Sequence, residues 1–581
     1  MYEPVPPRPK KTNICRSRTG CKMCRLRRKK CNGGKPCDLC VRLGVSCEQI
    51  FPTFEFRSIL GPSRSTKAGV RSDTSKYRPS PPKHSRCLPP RIEDGCNTTF
   101  DPDSLSNAIT ISDVVRFYMS AWKIHCLPAL HLSFESMEAI RGQSPLITDT
   151  LATLAASRLS RKLPQRRLLK VSDSPLFGFR PDSGHECLSS ELYGSALRKM
   201  SCWSSEEFDL SPMLAFAALV LFCYVESSMG NFKEFYIHSQ GVEILLKKSA
   251  YIIFPNGAGL LAAWVEVKMQ NWWRRAYFGV PEFFQDYFNP LLSPELQFIS
   301  NTESGRSATI LWILCESHRL NTAALIADYT VANFMNNATP ASENLFLFGE
   351  FVAMTKVYSE RLDEWRASLP DLIEIEGNLN RMKHLDLKCP ENGAIYFPSH
   401  KLAMNMAYYV VARIMHCAGP LQTFTTASIK NIDGFYEEIE AWIFILLRIA
   451  AGINWQDCVC LNAYTIGFAG LLLSCALCSR SLETGLWIQE WLEERLEQGG
   501  IEEGNFPVFQ ILDAVRLINR ERRNGFDVVV LFQTVDDEGG MGKFGSYSSQ
   551  FIKSMLVYGR CRRTGELGSY HVSTESLVAP K

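Results

Sequence analysis

The chain has 581 residues, 46% of them hydrophobic, and a formal net charge of +4, which is apolar matter enough for more than one packed unit. Its longest apolar runs, 213–225 and 466–478, are 13 residues each; a bilayer span takes about 20, so both are expected as buried helices, and the N-terminal MYEPVPPRPKKTN lacks the apolar core of a secretory signal. The charge is unevenly spread. Residues 1–47 hold 13 Lys and Arg against Glu3 and Asp38, a net +11, and the other 534 residues carry 51 bases against 58 acids, a net −7. Such a split points to a polyanion-binding head on a mildly acidic body. With no secretory signal, the 21 cysteines are expected as metal ligands or buried thiols rather than disulfides.

In chain order, residues 1–20 read as a basic, disordered N-terminus, with Cys15 a spare thiol and Arg16, Arg18 and Lys22 adding only diffuse attraction. Residues 21–47 follow as a compact cysteine module. Cys21, Cys24, Cys31, Cys37, Cys40 and Cys47 have the spacing C-x2-C-x6-C-x5-C-x2-C-x6-C, and a shift of 16 residues lays the first triplet on the second. Each C-x2-C pair can place two sulfurs on one face of a helical turn. A structural zinc takes four ligands. Two zincs therefore need eight ligand positions, which six thiolates supply if two of them bridge. The internal symmetry makes Cys21 and Cys37 the matched pair suited to bridging. One zinc on four cysteines would leave two idle and the duplication unexplained. The apolar residues of the module, Met23, Leu26, Leu39, Val41, Leu43 and Val45, are too few for an independent core, so its fold should depend on the metal.

The halves match in ligands and differ in charge. The first loop, 25–30, reads RLRRKK, with Arg25, Arg27, Arg28, Lys29 and Lys30, whereas the second, 41–46, reads VRLGVS with one base. The first half should face the polyanion and the second should act as scaffold. Arginine can hold guanine O6 and N7 in a bidentate fork, and lysine suits phosphate.

Residues 48–108 read as a linker. Eight prolines interrupt it, and no heptad repeat survives them; the head either acts as a monomer or is paired by another part of the chain. From 109 to 533 the apolar periodicity is helical. Candidate helices are 111–124, 146–162, 189–200, 211–228, 231–248, 259–277, 307–329, 342–368, 400–418, 432–452, 461–479, 483–497 and 507–522, with stop signals at Gly230 and Gly279. Residues 534–581, with GGMGKFGSYSS, read as a mostly flexible tail with a short ordered piece near 550–558. The fold class expected is a small zinc-stabilised N-terminal domain plus a large all-α domain.

On the six cysteines, the basic loop Arg25-Leu26-Arg27-Arg28-Lys29-Lys30, Pro36 and the closing RLGVSC, residues 21–47 resemble the fungal Zn2Cys6 binuclear cluster DNA-binding domains of transcription factors. More diffusely, residues 110–530 resemble the fungus-specific helical regulatory domain that often follows such clusters, on helix patterning, FYIHSQGVEILLKKS (235–249) and WWRRAYFG (272–279). The resemblance implies two Zn2+ held by all six cysteines, with the first and fourth bridging, and a nuclear transcription regulator rather than an enzyme. It implies that a short helix after the second cysteine enters the major groove of double-stranded DNA and reads a CGG triplet through Arg27 and Arg28, where many members have lysine. Arg25, Lys29 and Lys30 would then serve phosphates. The implied partners are DNA, the transcription machinery or co-regulators and a small-molecule effector, with no membrane; control of a metabolic gene cluster would suit such a regulator.

Other chemistry finds little support in the sequence. There is no phosphate-binding G-x-x-x-x-G-K-[ST], no H-E-x-x-H and no G-x-S-x-G. Cys458, Cys460, Cys475 and Cys478 could form a second metal site, but two of them sit in an apolar stretch and read as packing. Trp272-Trp273-Arg274-Arg275 could stack a ligand and also reads as packing.

Overall fold

The computed structural model describes residues 37–43, 111–136, 144–162, 165–171, 174–277, 284, 290–293, 296, 305–335, 342–369, 393–418, 432–533 and 554–573. The chain divides into two compact units, Met1–Pro79 and Ser80–Lys581. In the first, the described residues form one short helix, α1 (Asp38–Arg42).

The second unit is largely helical. Helix α2 (Ile111–Ala121) runs on through a π turn and 3-10 turns to Ser136, and α3 (Pro145–Lys162) packs against it. A hairpin of β1 (Gln165–Val171) and β2 (Ser174–Arg180) leads to α4 (Ser183–Ser201), whose N-terminus is capped by the Asp182 carboxylate accepting from Gly184 N and His185 N at 3.0 Å each. The short α5 (Ser205–Leu210) begins in a reciprocal capping box between Ser204 and Glu207. Then come α6 (Pro212–Met229), ended by Gly230 in the left-handed region at φ 72°, and α7 (Phe232–Tyr277). Helices α8 (Arg306–Met335), α9 (Ser342–Ala367), α10 (His400–Ala418) and α11 (Ile432–Gly452) form the next layer. The last helices are α12 (Trp455–Leu461), α13 (Phe468–Cys478), α14 (Leu482–Glu497) and α15 (Val508–Arg523), with a two-residue hairpin of β3 (Glu502–Glu503) and β4 (Phe506–Pro507) before α15.

The two apolar runs of the sequence are the centre of this body. Every residue from Ala215 to Ser228 in α6 and from Phe468 to Leu477 in α13 is buried, so neither helix has a polar face to show and both are enclosed on all sides. Among the described residues, α6 and α7 are long and apolar enough to cross a bilayer, and α11 with α12 would add a third span only if joined across a 91° bend. In α6, 83% of the apolar window is buried within the fold. The helix α7 leaves helical geometry at Ser249 and Gly257, with Pro255 between them, which is the break the sequence placed between 248 and 259.

The body departs from the all-α expectation in the β1–β2 hairpin, which pairs seven residues a strand, and again at its end. Strands β5 (Phe526–Gln533), β6 (Ser554–Cys561) and β7 (Leu567–Ser573) form an antiparallel sheet in the order β5-β6-β7. Two of the three lie in the stretch expected as a mostly flexible tail, and their packing explains the difference: Val557 is fully buried, Met555 is nearly so, and Val572 closes the same side. The β5–β6 register shifts between Val528 and Val530, leaving a bulge. The Phe526 ring lies so close over the strand pair that a Cβ at Gly559 would come within 2.3 Å of it. β5 packs on α7, α13 and α15, which fastens the sheet to the helices.

Candidate metal centre and nucleic-acid interface

Of the six cysteines proposed as ligands, Cys37 and Cys40 are described. Cys37 is the residue before α1, with extended backbone (φ −74°, ψ 150°), and its carbonyl accepts from Val41 N at 3.0 Å. Cys40 follows three residues later, one turn on, so both thiols lie on one side of the helix.

In this turn the cysteines are the enclosed side chains. Cys37 and Cys40 are 0% and 1% exposed, Val41 is 60% and Leu43 46% exposed, and Leu39 is half-buried. Free cysteine is commonly buried in any fold, so burial alone names no metal; the placement of two soft thiol donors three residues apart, on a helix too short to be stable by itself, is what suits zinc. The donor pair therefore fits the metal that the spacing implies.

The remaining ligands of the reading, Cys21, Cys24, Cys31 and Cys47, and the proposed DNA contacts Arg25, Arg27, Arg28, Lys29 and Lys30, lie outside the described residues. Arg42, the one base of the second loop, is exposed.

The described residues of the helical body contain no group of three or more His, Cys, Asp or Glu able to hold a metal. Cys458 and Cys475 are buried and Cys460 is exposed. Burial drives the Cys458 and Cys475 thiols well above their ordinary range and Cys478 up to about 12, which keeps them protonated packing groups. The Trp-Trp-Arg-Arg segment is likewise absorbed by packing. Trp272 and Trp273 meet the His318 ring edge-on at 5.7 and 4.9 Å. Arg274 Nη1 donates to Ser227 O at 3.2 Å, and both guanidinium groups lie over the Phe232 ring, at 5.7 and 5.6 Å.

One buried constellation gave no sign in the sequence. Glu503, on β3, is 1% exposed and accepts from Phe468 N at 2.6 Å, Ala469 N at 2.9 Å and Asn462 Nδ2 at 2.6 Å. Burial pushes its carboxyl up to about 7. Its neighbour Glu502 pairs with Arg161 at 2.5 Å, both side chains being buried, and Gln270 Nε2 donates to Thr465 O and Gly504 O at 3.0 and 3.3 Å. The hairpin is thus pegged to α3, α7 and α13. Its chemistry is structural: all three acceptor contacts of Glu503 go to the chain itself, and Gly467 packs so tightly on it that a Cβ there would sit 2.2 Å from Oε2. Nothing in GIEEGNFP announces this, because the donors come from residues 34 to 41 positions away.

No curated protein matches the chain, and no solved structure does. A family model does match the head: residues 19–53, which hold all six cysteines of the spacing and the buried pair, match the fungal Zn(2)-Cys(6) binuclear cluster domain, a module that binds two zinc ions and is found in DNA-binding transcription regulators.

Proposed function

We propose that the chain is a sequence-specific, nuclear regulator of transcription in a fungal cell. It reads a CGG-like triplet in the major groove with its cluster, and its helical body (109–533) governs activity through co-regulators and a small-molecule effector. The observation that carries this reading is the asymmetry of the duplicated module: equal ligands in both halves, five bases in one loop and one in the other. A zinc module devoted to protein contacts would not need that difference. Control of a metabolic gene cluster is the role this reading favours.

Cys21, Cys24, Cys31, Cys37, Cys40 and Cys47 would hold the two zincs, with Cys21 and Cys37 shared between them. The metal supplies cross-links in place of a hydrophobic core. Held this way, the 25–30 loop presents Arg27 and Arg28 to base edges, where a bidentate guanidinium–guanine contact discriminates by roughly 1–3 kcal/mol. Arg25, Lys29 and Lys30 meet phosphates, which add affinity without sequence preference.

The test is binding-site selection on the zinc-loaded protein with Arg28→Ala and Lys30→Ala. Arg28→Ala should relax preference at one guanine by about 1–3 kcal/mol, and Lys30→Ala should weaken all sites alike. An unchanged base preference in Arg28→Ala would remove that residue from the reading. Cys21→Ala or Cys37→Ala should unfold the head, because each takes a ligand from both metals; a variant keeping two zincs and full affinity would overturn the bridging assignment.

A further inference from the structure

The first half of α7 turns one face inward and leaves the other bare. Phe235, His238, Val242, Leu245 and Leu246 are buried, at the three- and four-residue steps of a core-facing stripe. On the opposite side Tyr236 is 50% and Ile244 56% exposed. With Gln240 between them they stand at steps of four, which makes them one ridge along the helix. Gln240 Nε2 donates to the Tyr236 hydroxyl oxygen at 2.8 Å and holds the ring along the helix. Helical geometry is left at Ser249, and just past it Tyr251 is 77% exposed. Lys248 pairs with Asp209 of α5, which sets the next residue of α5, Leu210, 81% exposed, beside the same face. Single exposed apolar residues are ordinary; four large ones gathered on one side of a helix mark a contact surface.

The exposed charges on this half of α7 have one sign. Between 232 and 256 they are Lys233, Lys247 and Lys248. The two acids of that stretch, Glu234 and Glu243, are half-buried, and Glu243 is engaged by Lys268 Nζ at 2.7 Å. Lys248 is neutralised by Asp209, whereas Lys233 and Lys247 enter no ion pair among the described residues. Glu206 and Glu207, exposed at the start of α5, bound the surface beyond Leu210. The face is therefore apolar along its ridge and basic at both ends, on a part of the chain that is acidic as a whole.

We infer that this face of α7 is a docking surface for an amphipathic helix with an acidic flank, carried by a co-regulator protein. The inference deepens the co-regulator part of the function proposed above and rests on it. A helix has its backbone hydrogen bonds closed, so it offers a partner side chains and no strand edge, and such ridges pack against the ridges of another helix. From Tyr236 to Tyr251 the face runs about 22 Å, which a partner of about four turns covers. The two tyrosines are the large anchors at which interface energy concentrates. Acids on the partner's flank meet Lys233 and Lys247, which fixes orientation and speeds encounter more than it adds affinity. A basic partner meets two unpaired like charges and is rejected. A second copy of this face would set lysine against lysine in the same way.

The test is selection of displayed random peptides of about 16 residues, four to five helical turns, on the full-length, zinc-loaded protein without DNA. The targets are the wild type, Ile244→Glu, and Lys233→Glu combined with Lys247→Glu. These positions are exposed, so the melting temperature should stay at the wild-type value. If Ile244→Glu lowers it, Tyr251→Glu, at the barer position, takes its place. Peptides retained by the wild type should be acidic, with apolar residues at three- and four-residue steps. Ile244→Glu should weaken them at least about tenfold, and the double lysine variant should turn the selection towards basic peptides. An empty selection, retained peptides that are not acidic, or peptides indifferent to Ile244→Glu overturn the proposal. So does self-association, or binding to phosphatidylserine vesicles, that Ile244→Glu abolishes, since the face would then belong to a second copy or to a lipid surface. No DNA takes part, so a failure here leaves the cluster's base preference standing, and every variant should select the wild-type DNA site.

Discussion

His238, His318 and His416 are each driven down to about 4, chiefly by burial. Each has a neutral partner: the Tyr193 hydroxyl at 2.7 Å, the Thr322 hydroxyl at 3.0 Å and the Ser317 hydroxyl at 2.9 Å. Their folded values lie below the ordinary 6.5, so the stability they lend is complete above 6.5 and is lost as pH falls towards 4. Glu503, up to about 7, and Asp513, up to about 6, have the opposite sign. Their folded values exceed the ordinary ones, so their contribution is complete near pH 4 and is lost as pH rises through 6 and 7. The body should therefore be most stable between about pH 6 and 7, with each group worth on the order of 3 kcal/mol across its window. Thermal melts against pH check this. His416→Gln keeps a donor at the Nε2 position and should flatten the acid limb. Glu503→Gln removes the titration and so the alkaline limb, but it sets an amide NH2 against one of the N–H groups that the two carboxyl oxygens now accept from, so it should melt below the wild type at pH 5 and close part of that gap by pH 8. A wild type whose melting temperature is level from pH 4 to 6.5 would sink the account of the imidazoles.

At the scale of the element, α13 shows how a helix without a polar face is held at its ends. Its N-cap is Gly467, which offers no side chain; the Glu503 carboxylate takes the first two N–H groups instead. At the other end, Arg522 of α15 donates to Ala476 O and Ser479 O through Nη2 and to Ser481 O through Nη1. A guanidinium there satisfies carbonyls the helix cannot and complements its dipole. Burial pulls Arg522 down to about 10, still charged at neutral pH. Arg522→Ala should cost about 2–4 kcal/mol, several buried carbonyls losing their donors at once, and Arg522→Lys should recover only part of it, since one ammonium cannot span three acceptors. Denaturant melts of the two variants decide this. The same element shows what the sequence could give. The helix itself was legible, though its expected start at 461 falls at the end of α12 and the observed one is Phe468; α10 and α11 were legible to the residue, because apolar recurrence and terminal residues are local. Its two end groups were not, for both come from distant segments. The sheet was missed for a related reason. Val528 to Phe532 is an unbroken apolar run, buried on nearly every residue, so it lacks the alternation that marks a half-exposed strand. Its partner β6 pairs with it across residues 534–553, a distance no local pattern bridges.

For the whole molecule, the decisive fact is the division of labour between a +11 head and a −7 remainder. The six cysteines of the metal reading all lie in the first, and the described residues of the second hold no group of three or more His, Cys, Asp or Glu able to bind a metal. Zinc chelation should abolish DNA binding while leaving the far-ultraviolet helical signal and main melting transition in place, because the described body has no metal-holding cluster and draws its stability from packing. A chelator that melted the helices as well would place a metal in the body. The charge division also makes the number of heads on DNA countable. An acidic remainder has no net attraction for phosphate, so released counterions report mainly on the basic loop. With Arg25, Lys29 and Lys30 on phosphates, one head should give a slope of log K against log salt of about −3, and two heads about −5 to −6. If two heads engage, the chain on paired half-sites should therefore show roughly twice the slope that it shows on a single site. Equal slopes would mean that one head binds in both cases. A slope well beyond about −3 on the single site would mean that bases elsewhere in the chain reach the backbone.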